Sequence, residues 1–425
     1  MTTAQSTAAG RREIKFRELI KDNPGYRNLV LGRFTNFLGN GVAPIALSFA
    51  VLDRTGSASA LSLVVGVRSL VNVAVLLFGG VLADRVSRSL LLQGSAIAAG
   101  ASQAVLGGLL LVDRASLPVI TTLAALNGAM AALSMPASSA ALPQTVAKES
   151  LRRANTFSRL ATNLALAIGA SAGGALVGFL GSGAGIVIDA ATFFLAALCF
   201  SRVRLTQPSP SAKEKPKFWR DVISGWREVT SRKWVGIIVL QALAWQVAWA
   251  SSIQVLGPLV ADATFGRKIW GIVLGLQTVG LIAGGIFAFR WKTFHRLAVA
   301  VGFSAIAALL PLALSFHWQW GVVAVAAFLC GFFLEQFGIS WDVALQRNVP
   351  QDALARVYSL DSAGSMMAVP FGQVIAGPLS DAWGTQSILF SAGIIILLAA
   401  ACAVLSPGVR RVQESDAVSD QAVPA

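Results

Sequence analysis

Two carboxylates, Asp189 and Glu335, stand inside long apolar stretches of this 425-residue chain. A charge at such depth is costly and by default functional. Arg68 is expected at a depth similar to that of Asp189, which makes the two a candidate structural pair. Glu335 has no cation at its depth in its own part of the chain. It is expected to hold a proton, to meet a cationic ligand, or to reach Arg33 across a cavity. A carboxylate that alternates between proton and ligand is minimal equipment for exchange, so Glu335 and Asp189 are the proton-coupling candidates. Trp245 and Trp249 stand one helical turn apart. Two indoles facing a cavity would bind flat apolar or cationic ligands, the alternatives being helix packing and an interfacial belt.

Other chemistry has little material. Cys199, Cys330 and Cys402 each sit in an apolar run without CxxC spacing, which argues against a disulfide frame or a metal site. No phosphate loop of the GxxxxGK[ST] type is present. Gly181-Ser-Gly-Ala-Gly185 lacks the third glycine of a dinucleotide fingerprint and reads as a tight hairpin. No cofactor, metal or enzymatic activity is expected.

The elements that must hold these residues are membrane spans. The chain is 55% hydrophobic and 13% charged, against roughly 25% charged in a soluble domain. A span needs about 20 apolar residues. That places twelve at roughly 27–52, 59–83, 89–112, 116–140, 156–179, 184–203, 234–260, 268–290, 296–316, 319–345, 357–380 and 385–406. The connections are alternately basic and nearly neutral. Arg54, Arg114, Arg267 and Lys268 are the cations of one side, while the other side collects almost all the rest. The positive-inside rule makes the basic side cytoplasmic, with both termini there. The net charge of +14 then serves anionic lipid headgroups of a bilayer, with no nucleic acid partner expected. The basic N-terminus has no cleavage-type site and is expected to be retained.

The break at 204–233 divides two six-helix halves, 27–203 and 234–406, flanked by cytoplasmic segments 1–26 and 407–425. Gln207–Pro216 reads as flexible linker. Phe218, Trp219, Val222, Ile223, Trp226 and Val229 share one helical face after it, the pattern of an interfacial amphipathic helix or a packed connector. The halves echo each other. Gly79-Gly-Val-Leu-Ala-Asp-Arg85 and Gly284-Gly-Ile-Phe-Ala-Phe-Arg290 end the second span of each, and Ser150-Leu-Arg-Arg153 is loosely matched by Ala353-Leu-Ala-Arg356.

Gly80-Val-Leu-Ala-Asp-Arg-Val-Ser-Arg88 resembles the signature between the second and third helices of the major facilitator superfamily, with Ser87 and Ser89 in place of a glycine and a basic residue. Gly169-Ala-Ser-Ala-Gly-Gly174 is similar to the antiporter motif of the fifth helix, with Ala170 where proline is usual. Asp189-Ala-Ala-Thr-Phe193, and Gln346-Arg-Asn-Val-Pro350 with Arg356-Val357, resemble the macrolide and enterobactin exporter branch of drug:proton antiporters.

The resemblance covers essentially the whole chain. It implies an all-α membrane protein with twelve transmembrane helices in two pseudo-symmetric six-helix bundles. Asp84, with Gly80, Arg85 and Arg88, is the implied gate. Its carboxylate would meet the N-terminus of the eleventh helix while the cytoplasmic side is closed, with Arg85 and Arg88 linked to Asp361 or Glu149. The first, fourth, seventh and tenth helices would line the cavity. Here they carry Arg33, Asn36 and Asn40; Asn127, Ser134 and Ser138; Gln241, Trp245, Trp249 and Ser252; and Glu335, Asp342 and Gln346. The ninth and twelfth, nearly bare of polar groups, would face lipid. Asn40 stands where relatives have aspartate. The implied activity is export of small hydrophobic or amphiphilic compounds (drug, antibiotic or siderophore-like) in exchange for protons. The protein would act as a monomer in a bacterial cytoplasmic membrane. An uncoupled facilitator or importer, and a non-transporting receptor or structural protein, are the alternatives.

Overall fold

The computed structural model describes residues 20–78, 87–203, 226–290 and 297–412, and the regular structure among them is helical. The N-terminal long helices are α1 (Pro24–Thr55), α2 (Ala58–Phe78), α3 (Arg88–Leu111), α4 (Leu117–Ala141), α5 (Leu151–Leu180) and α6 (Ser182–Ser201). They are followed by α7 (Lys233–Ala263), α8 (Arg267–Arg290), α9 (Leu297–Ser315), α10 (Trp320–Asn348), α11 (Gln351–Trp383) and α12 (Thr385–Leu405). Eleven are long and apolar enough to cross a membrane. The twelfth, α11, has 33 residues but more polar ones, among them Ser359, Asp361, Gln373 and Asp381. Gly80, Asp84 and Arg85 of the expected gate lie outside the described residues, as does the expected amphipathic segment before Trp226.

Local chemistry explains where the helices start and stop. Pro24 and Pro118 occupy first turns, where no N–H is missed. The Ser87 Oγ caps α3 by accepting the Leu90 N–H at 3.3 Å. Gly181 (φ 85°) is the single residue joining α5 to α6, and Gly384 (φ 83°) joins α11 to α12. Only glycine adopts that backbone at little cost, and the two stand at corresponding places in the halves. The helix α7 is not regular. Ala250–Leu256 form a π-helical segment, a deviation found mostly at functional positions.

The packing repeats with an offset of six helices. The pairs α1–α5, α2–α4 and α3–α6 recur as α7–α11, α8–α10 and α9–α12, and α5–α8 and α2–α11 join the halves. One end of the bundle carries the short turns after α1, α3, α5, α7, α9 and α11, the nearly neutral connections. There a single apolar core runs through both halves, from Phe49, Leu61 and Ile186 to Leu256, Trp270 and Leu314. At the opposite, basic end there are two cores. One contains Tyr26, Leu92 and Phe200, the other Val235, Trp341 and Val357. The molecule is therefore joined at its neutral end.

Polar contacts reinforce the junction. The Ser59 Oγ donates to the Asp381 carboxylate at 2.5 Å. The Ser62 hydroxyl bonds the Gln373 carbonyl and accepts the Gly377 N–H at 3.0 Å. Arg267 bridges Asp53 of the other half at 2.5 Å and Asp262 of its own at 2.7 Å.

Candidate functional site

The structure gives Asp189 and Arg68 separate partners. Arg68 donates through Nε and Nη2 to Asn127 Oδ1 at 3.3 and 3.2 Å. Asp189 is fully buried and accepts from Gln103 Nε2 at 2.6 Å. They make no direct ion pair, since α2 packs chiefly on α4 and α11, but each lies within reach of the other's charge. Asn127, expected on a cavity wall, is 1% exposed and serves as the buried acceptor for Arg68. The second Asp189 oxygen has no donor and rests on the α1 backbone at Gly39, where a Cβ would overlap it.

On α1, the Asn40 side chain donates to the Asn36 carbonyl at 3.0 Å, a bond within its own helix. Arg33 is half-buried and its Nε has no partner. Glu335 is also half-buried and lies over Gly284 and Gly285 of α8, which bring no side chain against it. It has no hydrogen-bond or ion-pair partner among the described residues. The cation of the opposite half whose charge reaches it is Arg159 of α5, in place of the expected Arg33.

Gln241 and Trp245 meet in one place. Both line a cavity of about 170 Å³ walled by α7, α9, α10 and α11. Gln241 donates to Ser304 Oγ at 2.7 Å. Trp245 stacks on Trp249 with ring centroids 5.4 Å apart and planes 12° from parallel. Trp249 itself packs into the apolar core. Asp361 accepts the Trp341 indole N–H at 3.1 Å, and both line the same cavity. Sequence reasoning missed Gln103, Arg159, Ser304 and Trp341. Gln103 and Ser304 stand on spans outside the set expected to line the cavity, which is why neither was singled out.

The α5 glycines sit where backbones cross. A Cβ on Gly169 or Gly173 would overlap the α1 backbone at Leu38 or Val42, and one on Gly174 would overlap Gly271 of α8 in the other half. Arg88 is the member of the expected gate that is described, in the first turn of α3.

This architecture has known counterparts. The chain is 27% identical over 398 residues to the enterobactin exporter EntS of Escherichia coli O1:K1, covering 89% of this chain and 92% of that protein. Among solved structures, a mutant of the nucleoside transporter NupG superposes with a TM-score of 0.73 at 11% identity, covering 90% of this chain and all of that one. A bacterial homologue of the iron transporter ferroportin, in an inward-facing state, gives 0.66 at 16% identity, with 90% and 99% covered. The family model of the Major Facilitator Superfamily matches residues 29–365. With two halves joined through α5–α8 and α2–α11 and that match across most of its length, this chain belongs to the Major Facilitator Superfamily, whose members are membrane transporters.

Proposed function

We propose that this protein exports small hydrophobic or amphiphilic organic compounds across a bacterial cytoplasmic membrane by alternating access, in exchange for protons. The observation that carries the reading is the one-ended closure. The apolar core is continuous between halves at the neutral end and split in two at the basic end. Such a body needs only a rocking of the halves to exchange which end is joined. The positive-inside rule makes the basic end cytoplasmic, so the structure corresponds to an inward-facing state. The likeness to an enterobactin exporter over nearly the full length supports export as the direction. Glu335, unpartnered and half-buried, is the favoured proton carrier. Asp189 is second, because Gln103 and the α1 backbone enclose it.

Two measurements test this reading. Protein reconstituted in liposomes should extrude an aromatic amphiphile against its gradient when a pH step is imposed, and an uncoupler should end accumulation. Equilibration that ignores the uncoupler would leave an uncoupled facilitator. For orientation, the Asp113 side chain is 91% exposed on the neutral end, whereas Asn155 is exposed near the basic end. Asp113→Cys should react with an impermeant maleimide in intact cells, and Asn155→Cys only after lysis. The reverse pattern would invert the topology.

A further inference from the structure

The cavity between α7, α9, α10 and α11 is lined by residues of the C-terminal half alone. Its size is the first constraint. A space of about 170 Å³ is close to the roughly 150 Å³ that holds one benzene ring in a dry protein interior. It has room for a single ring with a short substituent, and it is open on one side.

Its lining is the second constraint. Trp245, Phe337 and Trp341 supply aromatic surface, and the Trp245–Trp249 stack fixes the plane of one indole. Aromatic faces attract both apolar rings and cations. Asp361 adds a carboxylate that accepts the neutral indole N–H of Trp341. It has no ion pair among the described residues, and the nearby charge of Asp342 adds to the negative field.

The third constraint is unmet hydrogen bonding. Gln241 is 5% exposed. Its Nε2 is committed to Ser304 while its Oε1 has no donor. The Trp245 Nε1–H, also buried, has no acceptor. Buried polar atoms without partners are costly, and a ligand with a complementary donor and acceptor would relieve both.

We infer that this cavity is an anchoring subsite for one aromatic ring bearing a protonated amine. The ring lies against the indoles, the ammonium faces Asp361 and the Gln241 carbonyl, and the Trp245 N–H remains for an oxygen on the ligand. The inference deepens the export reading by naming the group by which a substrate is held. A larger amphiphile would insert one such ring here and leave its remainder in the space between the halves.

The test uses purified full-length protein in detergent, with 2-phenylethylamine and its neutral counterpart 2-phenylethanol followed by quenching of tryptophan fluorescence. The amine should bind at least about tenfold more tightly than the alcohol, a difference of about 1.4 kcal/mol. Asp361→Asn should remove that preference and leave alcohol binding unchanged. Ala242→Phe, which adds a ring to the cavity wall and leaves the carboxylate in the sequence, should abolish binding of both and covers the case in which Asp361→Asn does not fold. Equal affinity for amine and alcohol in the native protein would overturn the assignment, as would binding indifferent to Ala242→Phe. Binding is measured without transport, so amine selectivity in a protein that fails to pump would overturn export alone.

Discussion

Glu335→Gln is expected to abolish pH-driven accumulation in liposomes while exchange of a neutral substrate down its gradient continues. The argument is one of competition for two oxygens. Glu335 is half-buried on α10, lies over a glycine pair of α8, and has no protein partner among the described residues. A proton or a cationic group is then the available counterpart, and each excludes the other. Glutamine keeps the shape and hydrogen-bonding capacity of the protonated acid but cannot release a proton. A pH step of one unit is worth about 1.4 kcal/mol per proton, or a tenfold accumulation ratio. The variant should stay at a ratio of about one whatever step is imposed. Cationic substrates should also lose affinity. Accumulation that still follows the pH step would move the coupling elsewhere, and Asp189→Asn is the comparison that decides it.

Much of this arrangement is legible in the sequence. The spans follow from length and hydropathy alone, because the apolar thickness of a bilayer sets a helix length. The twofold repeat is visible in the sequence pairs Gly79-Gly80 and Gly284-Gly285, which recur at corresponding places in the two halves of the chain. What the sequence could not supply is azimuth. Asp189 and Arg68 were placed at one depth, yet depth does not say which helices face each other. Arg68 turns toward α4 and finds Asn127, and Asp189 turns toward α3 and finds Gln103. The same ambiguity hid Ser304. Its helix α9 was expected to face lipid because it is nearly bare of polar groups, and one hydroxyl toward α7 suffices to hold Gln241. The π segment of α7 carries no Gly or Pro of its own, so nothing in Ala250–Leu256 announced it. Asp361, expected to answer Arg85 and Arg88, takes an indole N–H in this state.

The other large effect is expected at the crossing of α5 and α8. Gly174 and Gly271 meet backbone to backbone between the halves, and a methyl group on either would overlap the other's main chain. Main chain cannot swing aside as a side chain can, so the helices would have to separate. Overpacking of this kind costs about 1–3 kcal/mol. That cost falls on the state joined at the neutral end, the one in which this crossing is tight. Gly174→Ala should therefore fold but populate that state about tenfold less, since 1.4 kcal/mol is a factor of ten. Net transport should fall with it, because a cycle needs both states. Gly178→Ala is the control one turn along. Its methyl would press on the Lys268 side chain and not on backbone, so a smaller change is expected than at Gly174. Gly173→Ala is a second control, since it presses on Val42 within one half and should lower stability without favouring either state. The reporter is a cysteine at Ser62, 1% exposed at the separate α2–α11 contact. Its reactivity toward an impermeant maleimide should rise about tenfold in the Gly174→Ala background, in step with the population shift. Unchanged reactivity and unchanged transport in a well-folded Gly174→Ala protein would mean that the α5–α8 crossing does not set the balance between states.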